Sequence, residues 1–143
     1  MMMADNNTFQ WVDDESMIVK SSHPVHIKDN ATGKCCGIHF SYFSSLPKEP
    51  AVITFGLQGS EPRPEMAVPS DDSTIGPAPL LLHPVLNEVG EYTLHMEALE
   101  KNKVLIDGIG VINLEYSYQL YHEDTFQAGN STFTVYFNHF KPK

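Results

Sequence analysis

The sequence predicts an all-β chain, an antiparallel β-sandwich interrupted by one long proline-rich loop. Three observations carry this. Tyr92, Leu94, Met96 and Ala98 alternate with Glu91, Thr93, His95 and Glu97, the period-two signature of a strand half buried against a core. The apolar phase then continues at even positions through Val104, Ile106, Ile112, Leu114, Tyr116, Tyr118 and Leu120. And no i, i+3, i+4, i+7 stripe is long enough to hold a helix.

The elements follow in order. Residues 1–10 are polar and read as a flexible N-terminal arm, and Trp11 either begins the ordered body or anchors the arm to a neighbour. Residues 16–20 and 24–28 are short strand candidates, placed at a sheet edge or at a switch between sheets because Pro24 cannot donate to a ladder. Asn30 and Gly33 mark a turn. Cys36, Ile38, Phe40 and Tyr42 alternate with His39 and Ser41, and Ile53, Phe55 and Leu57 are in phase on the next strand. At most one turn of helix is expected near residues 80–85.

Residues 59–79 hold Pro62, Pro64, Pro69, Pro77 and Pro79, half of the chain's 10 prolines. A structureless loop of this length is uncommon in a compact domain. It is either mobile or an extended arm that docks on a partner, since proline lowers the entropy lost on ordering. Further on, a two-residue turn at Asp107-Gly108 would pair residue 104 with 111 and turn Asn113 and Glu115 into the core. Such a register is disfavoured, which leaves an odd-numbered loop or a strand kinked at the glycines. Residues 122–130 read as a loop, and 132–140 as the last strand, with Phe133, Val135 and Phe137 in phase and Tyr136 opposite. The sum is roughly seven to nine strands in a single domain spanning residues 11–143, with the loop at 59–79.

Bulk properties exclude several classes. The 143 residues carry 9 basic and 18 acidic side chains, a net charge of −9, and Arg63 is the sole arginine. A nucleic-acid partner needs a basic face to displace counterions, and none is present. No apolar run approaches the roughly 20 residues of a membrane helix, and an acidic surface disfavours anionic membranes. The N-terminus lacks the basic and apolar segments of a secretory signal, so a virion or intracellular location is expected. Cys35 and Cys36 are adjacent, a poor geometry for a disulfide, and two reduced thiols are expected.

Little in the sequence suggests catalysis. No G-x-S-x-G elbow is present, and Cys35 and His39 would lie about 13 Å apart on an extended strand. The seven histidines do not form a metal-ligand pattern: Pro24 holds His23-Pro24-Val25-His26 extended, so the two imidazoles diverge. No enzyme activity, metal or cofactor is expected. Phe43, Tyr121, Tyr136 and Phe140 fall out of phase with the core set and either fill the second face of a layer or form a contact patch.

Gly90-Glu91-Tyr92-Thr93-Leu94 resembles the start of the sixth strand of immunoglobulin-like domains, where a tyrosine hydroxyl bonds back to the chain at a corner. That resemblance makes Tyr92 the corner residue and the sandwich immunoglobulin-like, with a jelly roll as the alternative. Leu94 stands where that family usually has a cysteine. A small acidic all-β chain with polar and proline-rich arms also resembles the decoration or cement proteins of virus and phage capsids. The resemblance implies a non-catalytic structural protein whose partners are copies of itself and a larger assembly such as a capsid. The contact residues expected on this reading are Trp11, Pro62, Arg63, Pro64, Met66, Tyr121, Tyr136 and Phe140. The alternative is a ligand-binding sandwich for a carbohydrate or metal.

Overall fold

The computed structural model describes residues 9–13, 23–43, 51–61 and 63–138; the candidate strand at 16–20, Pro62 and Phe140 lie outside them. The described chain runs through β1 (Trp11–Asp13), β2 (Val25–Asp29), β3 (Lys34–Ile38), β4 (Ile53–Leu57), β5 (Met66–Val68) and β6 (Leu80–Leu86). It continues through β7 (Tyr92–Ala98), β8 (Val104–Ile106), β9 (Gly110–Val111), β10 (Ser117–Leu120), β11 (Thr125–Ala128) and β12 (Ser131–Phe137). Two sheets result, one of seven strands in the order β1-β3-β2-β12-β11-β8-β9 and one of five in the order β10-β7-β6-β4-β5. Every pairing is antiparallel except β4 with β5. The architecture is the expected all-β sandwich. No helix among the described residues is long and apolar enough to cross a membrane.

The alternation of each strand decides which side chains meet between the layers. Phe55 on β4 reaches from the five-stranded sheet to Phe126 and Phe133 on β11 and β12, with ring centroids 5.6 and 5.1 Å away. Phe126 and Phe133 stack on each other at 5.4 Å. All three rings are fully buried, and each such pair adds about 0.5–1.5 kcal/mol beyond area burial. Ile27, Ile53, Leu82, Leu94 and Met96 complete the layer around them.

The turn at Asp107 has the predicted parity. Ile106 pairs with Gly110 and Leu105 with Val111, so the loop is the three residues 107–109, and Asn113 and Glu115 stay exposed. Gly108 and Gly110 sit at φ +88° and +99°, conformations that glycine adopts without the Cβ penalty. Residues 90–120 do not stay in one sheet, however. β7 and β10 belong to the five-stranded sheet and β8 and β9 to the other, so this stretch laces the layers together.

Several expectations are corrected. β2 is internal, flanked by β3 and β12; Pro24 lies just ahead of it, where no ladder donor is needed. Residues 80–85 form strand rather than a turn of helix, and Pro84 is tolerated because β4 pairs only as far along β6 as Leu82. The alternation after Cys36 ends at Ile38. There His39 caps a single 3-10 turn, Phe40–Tyr42, its Nδ1 accepting the Ser41 amide at 3.1 Å, and Phe43 then enters the core. Residues 122–130 contain β11, closed onto β12 by a two-residue turn, since Ala128 pairs with Ser131. Tyr92 makes no corner: its ring packs edge-on against Phe43 at 5.1 Å, and no hydroxyl hydrogen bond to the described residues accompanies it.

Candidate functional site

The outer strands of the two sheets leave two lateral sides. On one, β1 closes the seven-stranded sheet and β5 the five-stranded sheet, and a cleft of about 750 Å³ opens between them. That size lies within the range of ordinary ligand pockets, about 300–1,000 Å³. Trp11 and Val12 line one wall, and Arg63, Pro64, Glu65, Ala67 and Pro69 line the other. Phe9, Gln10, Tyr42 and Gln58 complete the lining.

Local structure fixes each wall. β1 pairs with β3 through Trp11 opposite Cys36 and Val12 opposite Cys35. The Trp11 ring leans toward Phe133, with centroids 6.3 Å apart, and Phe9 packs on Tyr42 at 5.2 Å. Trp11 therefore anchors the N-terminal segment to its own chain. Its indole Nε1 is buried and finds no hydrogen-bond partner among the described residues. An unpaired buried donor costs about 1–3 kcal/mol.

The opposite wall is pinned from both ends. β5 lies alongside β4, with Phe55 opposite Met66 and Leu57 opposite Val68. Thr54 and Glu65 exchange hydrogen bonds: the Thr54 amide donates to Oε1 at 3.2 Å, and the Glu65 amide donates to Thr54 Oγ1 at 2.7 Å. The Gln58 amide donates to the Val68 carbonyl at 2.9 Å, and the Leu57 amide to the Gly76 carbonyl at 2.8 Å. Asp72 then ties the stretch to the β11–β12 turn. Its Oδ2 accepts Ser131 Oγ at 2.5 Å and its Oδ1 accepts the Thr74 amide at 3.0 Å, while the Asn130 amide donates to Thr74 Oγ1 at 2.8 Å. These donors, the Ser131 hydroxyl foremost, hold the Asp72 carboxyl below the ordinary carboxylate range. Ile75 is fully buried. Residues 63–79 are thus tied to β4 and to the β11–β12 turn of their own chain.

The eight expected contact residues separate accordingly. Trp11, Arg63 and Pro64 converge on the cleft, and Arg63 is exposed, with no ion pair to the described residues. Met66 is fully buried in the core, so it cannot serve as a surface contact. Tyr136 lies on the outer face of the seven-stranded sheet, stacked on His26 at 5.3 Å, and Tyr121 is exposed after β10. Phe43, Tyr121 and Tyr136 do not form one patch, because Phe43 is core. Gln58, Tyr42 and Phe9 were not singled out. They reach the cleft only through tertiary folding, and no local pattern marks them.

Among the described residues no three His, Cys, Asp or Glu side chains converge as a metal site. Cys35 and Cys36 are buried and in no disulfide. Burial, with a smaller contribution from Cys35, pushes the Cys36 thiol far above its ordinary range, the reverse of what a nucleophilic thiolate needs.

By sequence the chain matches no family model and no curated protein. Structure is informative. The MEK1 FHA domain, solved in complex with the HOP1 pThr318 peptide, superposes with a TM-score of 0.57 at 12% identity, over 82% of this chain and 99% of that one. The chain has an FHA-like fold. The FHA domain of an Arabidopsis thaliana hypothetical protein gives 0.57 at 16% identity, over 85% and 92% of the two chains. The yeast Dun1 FHA domain, solved with a doubly phosphorylated (pT) peptide derived from Rad53 SCD1, gives 0.57 at 15%, over 85% and 79%. These neighbours replace the immunoglobulin-like and jelly-roll resemblances, and they lend no support to a capsid decoration protein.

Proposed function

We propose that the chain is a non-catalytic protein-interaction module that takes an extended peptide of a partner protein into the β1–β5 cleft. The observation that carries the reading is a cleft of about 750 Å³ between the outermost strands of the two sheets, with Trp11 on one wall and the exposed Arg63 on the other. Among the described residues β5 pairs only with β4, and its other edge offers main-chain groups to an added strand.

The finer reading is recognition of a phosphothreonine peptide. Its support is the FHA-like fold, whose neighbours include two solved with phosphothreonine peptides. Arg63 on the cleft wall adds to it, since a guanidinium forms paired, charge-assisted hydrogen bonds with a phosphate. With a net charge of −9, the protein has no general attraction for anions, so a phosphate would depend on Arg63, the one Lys or Arg among the described lining residues. A virion role and self-association rest on composition alone and are not carried further.

A phosphothreonine-centred degenerate peptide array, probed beside its unphosphorylated twin, tests this. Preferential binding of the phosphorylated set, weakened by Arg63→Glu, is the expected result. Equal binding of both sets leaves a peptide-binding module without phosphate recognition, and binding of neither contradicts the proposal.

A further inference from the structure

The side of the sandwich opposite the cleft has a different chemistry. There β9 ends the seven-stranded sheet and β10 the five-stranded one, and residues 112–116 cross between them. The crossover is anchored by Ile112, buried in the core, by the Ile112 amide donating to Val104 at 3.1 Å, and by a bridge from Leu114 to Ala98. Around these anchors large apolar side chains face solvent: Ile109 is 59% exposed, Val111 49%, Leu114 39% and Tyr116 59%, with Leu99 beside the bridge at 42%. Scattered single apolar residues on a surface are ordinary, whereas a run along one edge marks a contact.

Charge and backbone indicate what would cover it. No lysine or arginine occurs from residue 104 to residue 140, while Asp107 and Glu115 sit within the apolar run and are both exposed. Of the nearest cations, Lys103 is paired with Glu100 at 3.3 Å. Among the described residues β10 pairs only with β7, so its other edge presents amide and carbonyl groups that none of these strands takes up. A second copy of this chain would bring another acidic edge and the same net charge of −9, and like charges oppose that pairing.

We propose that the β9–β10 side is a second docking edge, for an extended segment of a partner protein that alternates lysine or arginine with apolar residues. The segment adds as a strand to β10, sets its apolar side chains against Val111, Leu114 and Tyr116, and places its cations beside Asp107 and Glu115. This inference is independent of the cleft and of phosphate recognition.

The probes are three synthetic heptapeptides, one alternating lysine with valine, one lysine with serine and one glutamate with valine, titrated into the whole chain and followed through backbone amide NMR shifts. The expected result is shifts in residues 109–120 with the lysine–valine peptide alone. Affinity should fall at least about tenfold in the surface variant Ile109→Ser/Tyr116→Ser. It should fall as much when alternate peptide nitrogens of the probe are methylated, a change that leaves the protein untouched. Equal binding of the lysine–serine peptide, shifts confined to the cleft, or no binding would each overturn the proposal. So would concentration-dependent self-association through residues 109–120, which would give the edge to a second copy.

Discussion

Gly56 on β4 lies so close to Pro77 that a Cβ built on the glycine would overlap the proline carbonyl oxygen. One residue further on, the Leu57 amide donates to the Gly76 carbonyl at 2.8 Å. The proline-rich stretch is therefore seated on β4 by backbone contact, with no room for a side chain between.

Gly56→Ala should consequently be costly although alanine is the smallest replacement. Overpacking of a closed site costs about 1–3 kcal/mol, and here the obstacle is backbone, which cannot rotate away. Thermal unfolding should show a melting temperature lower by several degrees. An unchanged melting temperature would mean that the contact with Pro77 is not what matters.

Asp72 gives this seat an acid dependence. Its carboxyl is held below the ordinary range, first by Ser131 and then by Thr74. The folded state thus binds its proton less readily than the unfolded chain does. The stabilisation is complete above the unfolded value and is lost as pH falls below about 4. Asp72→Asn should be less stable than wild type at pH 7, and the gap should narrow toward pH 3 in denaturant titrations. A gap independent of pH would remove the carboxylate from the account.

His95 acts in a higher window. It stands opposite His83 across β6 and β7, and burial first, then the His83 charge, lowers its proton affinity. An imidazole with a lowered folded value destabilises the fold as pH falls through about 6.5, because the unfolded chain takes up the proton first. Replacing His95 by glutamine should flatten the stability profile between pH 7 and pH 5. An unchanged slope would assign that dependence to other groups.

Cys35 and Cys36 should be inert in the native protein. Both are buried and unbridged, and the thiolate that reacts is disfavoured at Cys36. A colorimetric thiol reagent should titrate essentially neither group under native conditions and both in denaturant. Rapid native labelling would contradict the burial.

Much of the sandwich is legible in the sequence because β4, β7 and β12 carry strict alternation over five to seven residues. Parity alone also excluded a two-residue turn at Asp107-Gly108, leaving an odd-numbered loop or a kinked strand, of which the first is found. β11 and β6 were less visible. The first has four residues flanked by polar turns, and the second carries Pro84 beyond the point where β4 stops pairing with it. Met66 and Val68 alternate within the proline-rich stretch, a signal outweighed by the prolines around them. The cleft was only partly legible. Trp11 and Arg63 stood out as a lone tryptophan and a lone arginine, but their meeting depends on two strands that share no sheet. Gly90-Glu91-Tyr92 illustrates the opposite failure, a short local match that the packing of Tyr92 on Phe43 overrides.

The central claim is that a partner peptide enters the β1–β5 cleft, and the single tryptophan makes this directly measurable. A phosphothreonine peptide selected from the array should shift the Trp11 indole N–H resonance during a titration. Arg63→Glu should weaken the same titration by about 10- to 100-fold, the equivalent of losing a charged hydrogen bond of about 1.5–3 kcal/mol. A peptide that binds while leaving the Trp11 indole resonance unmoved would contradict the account.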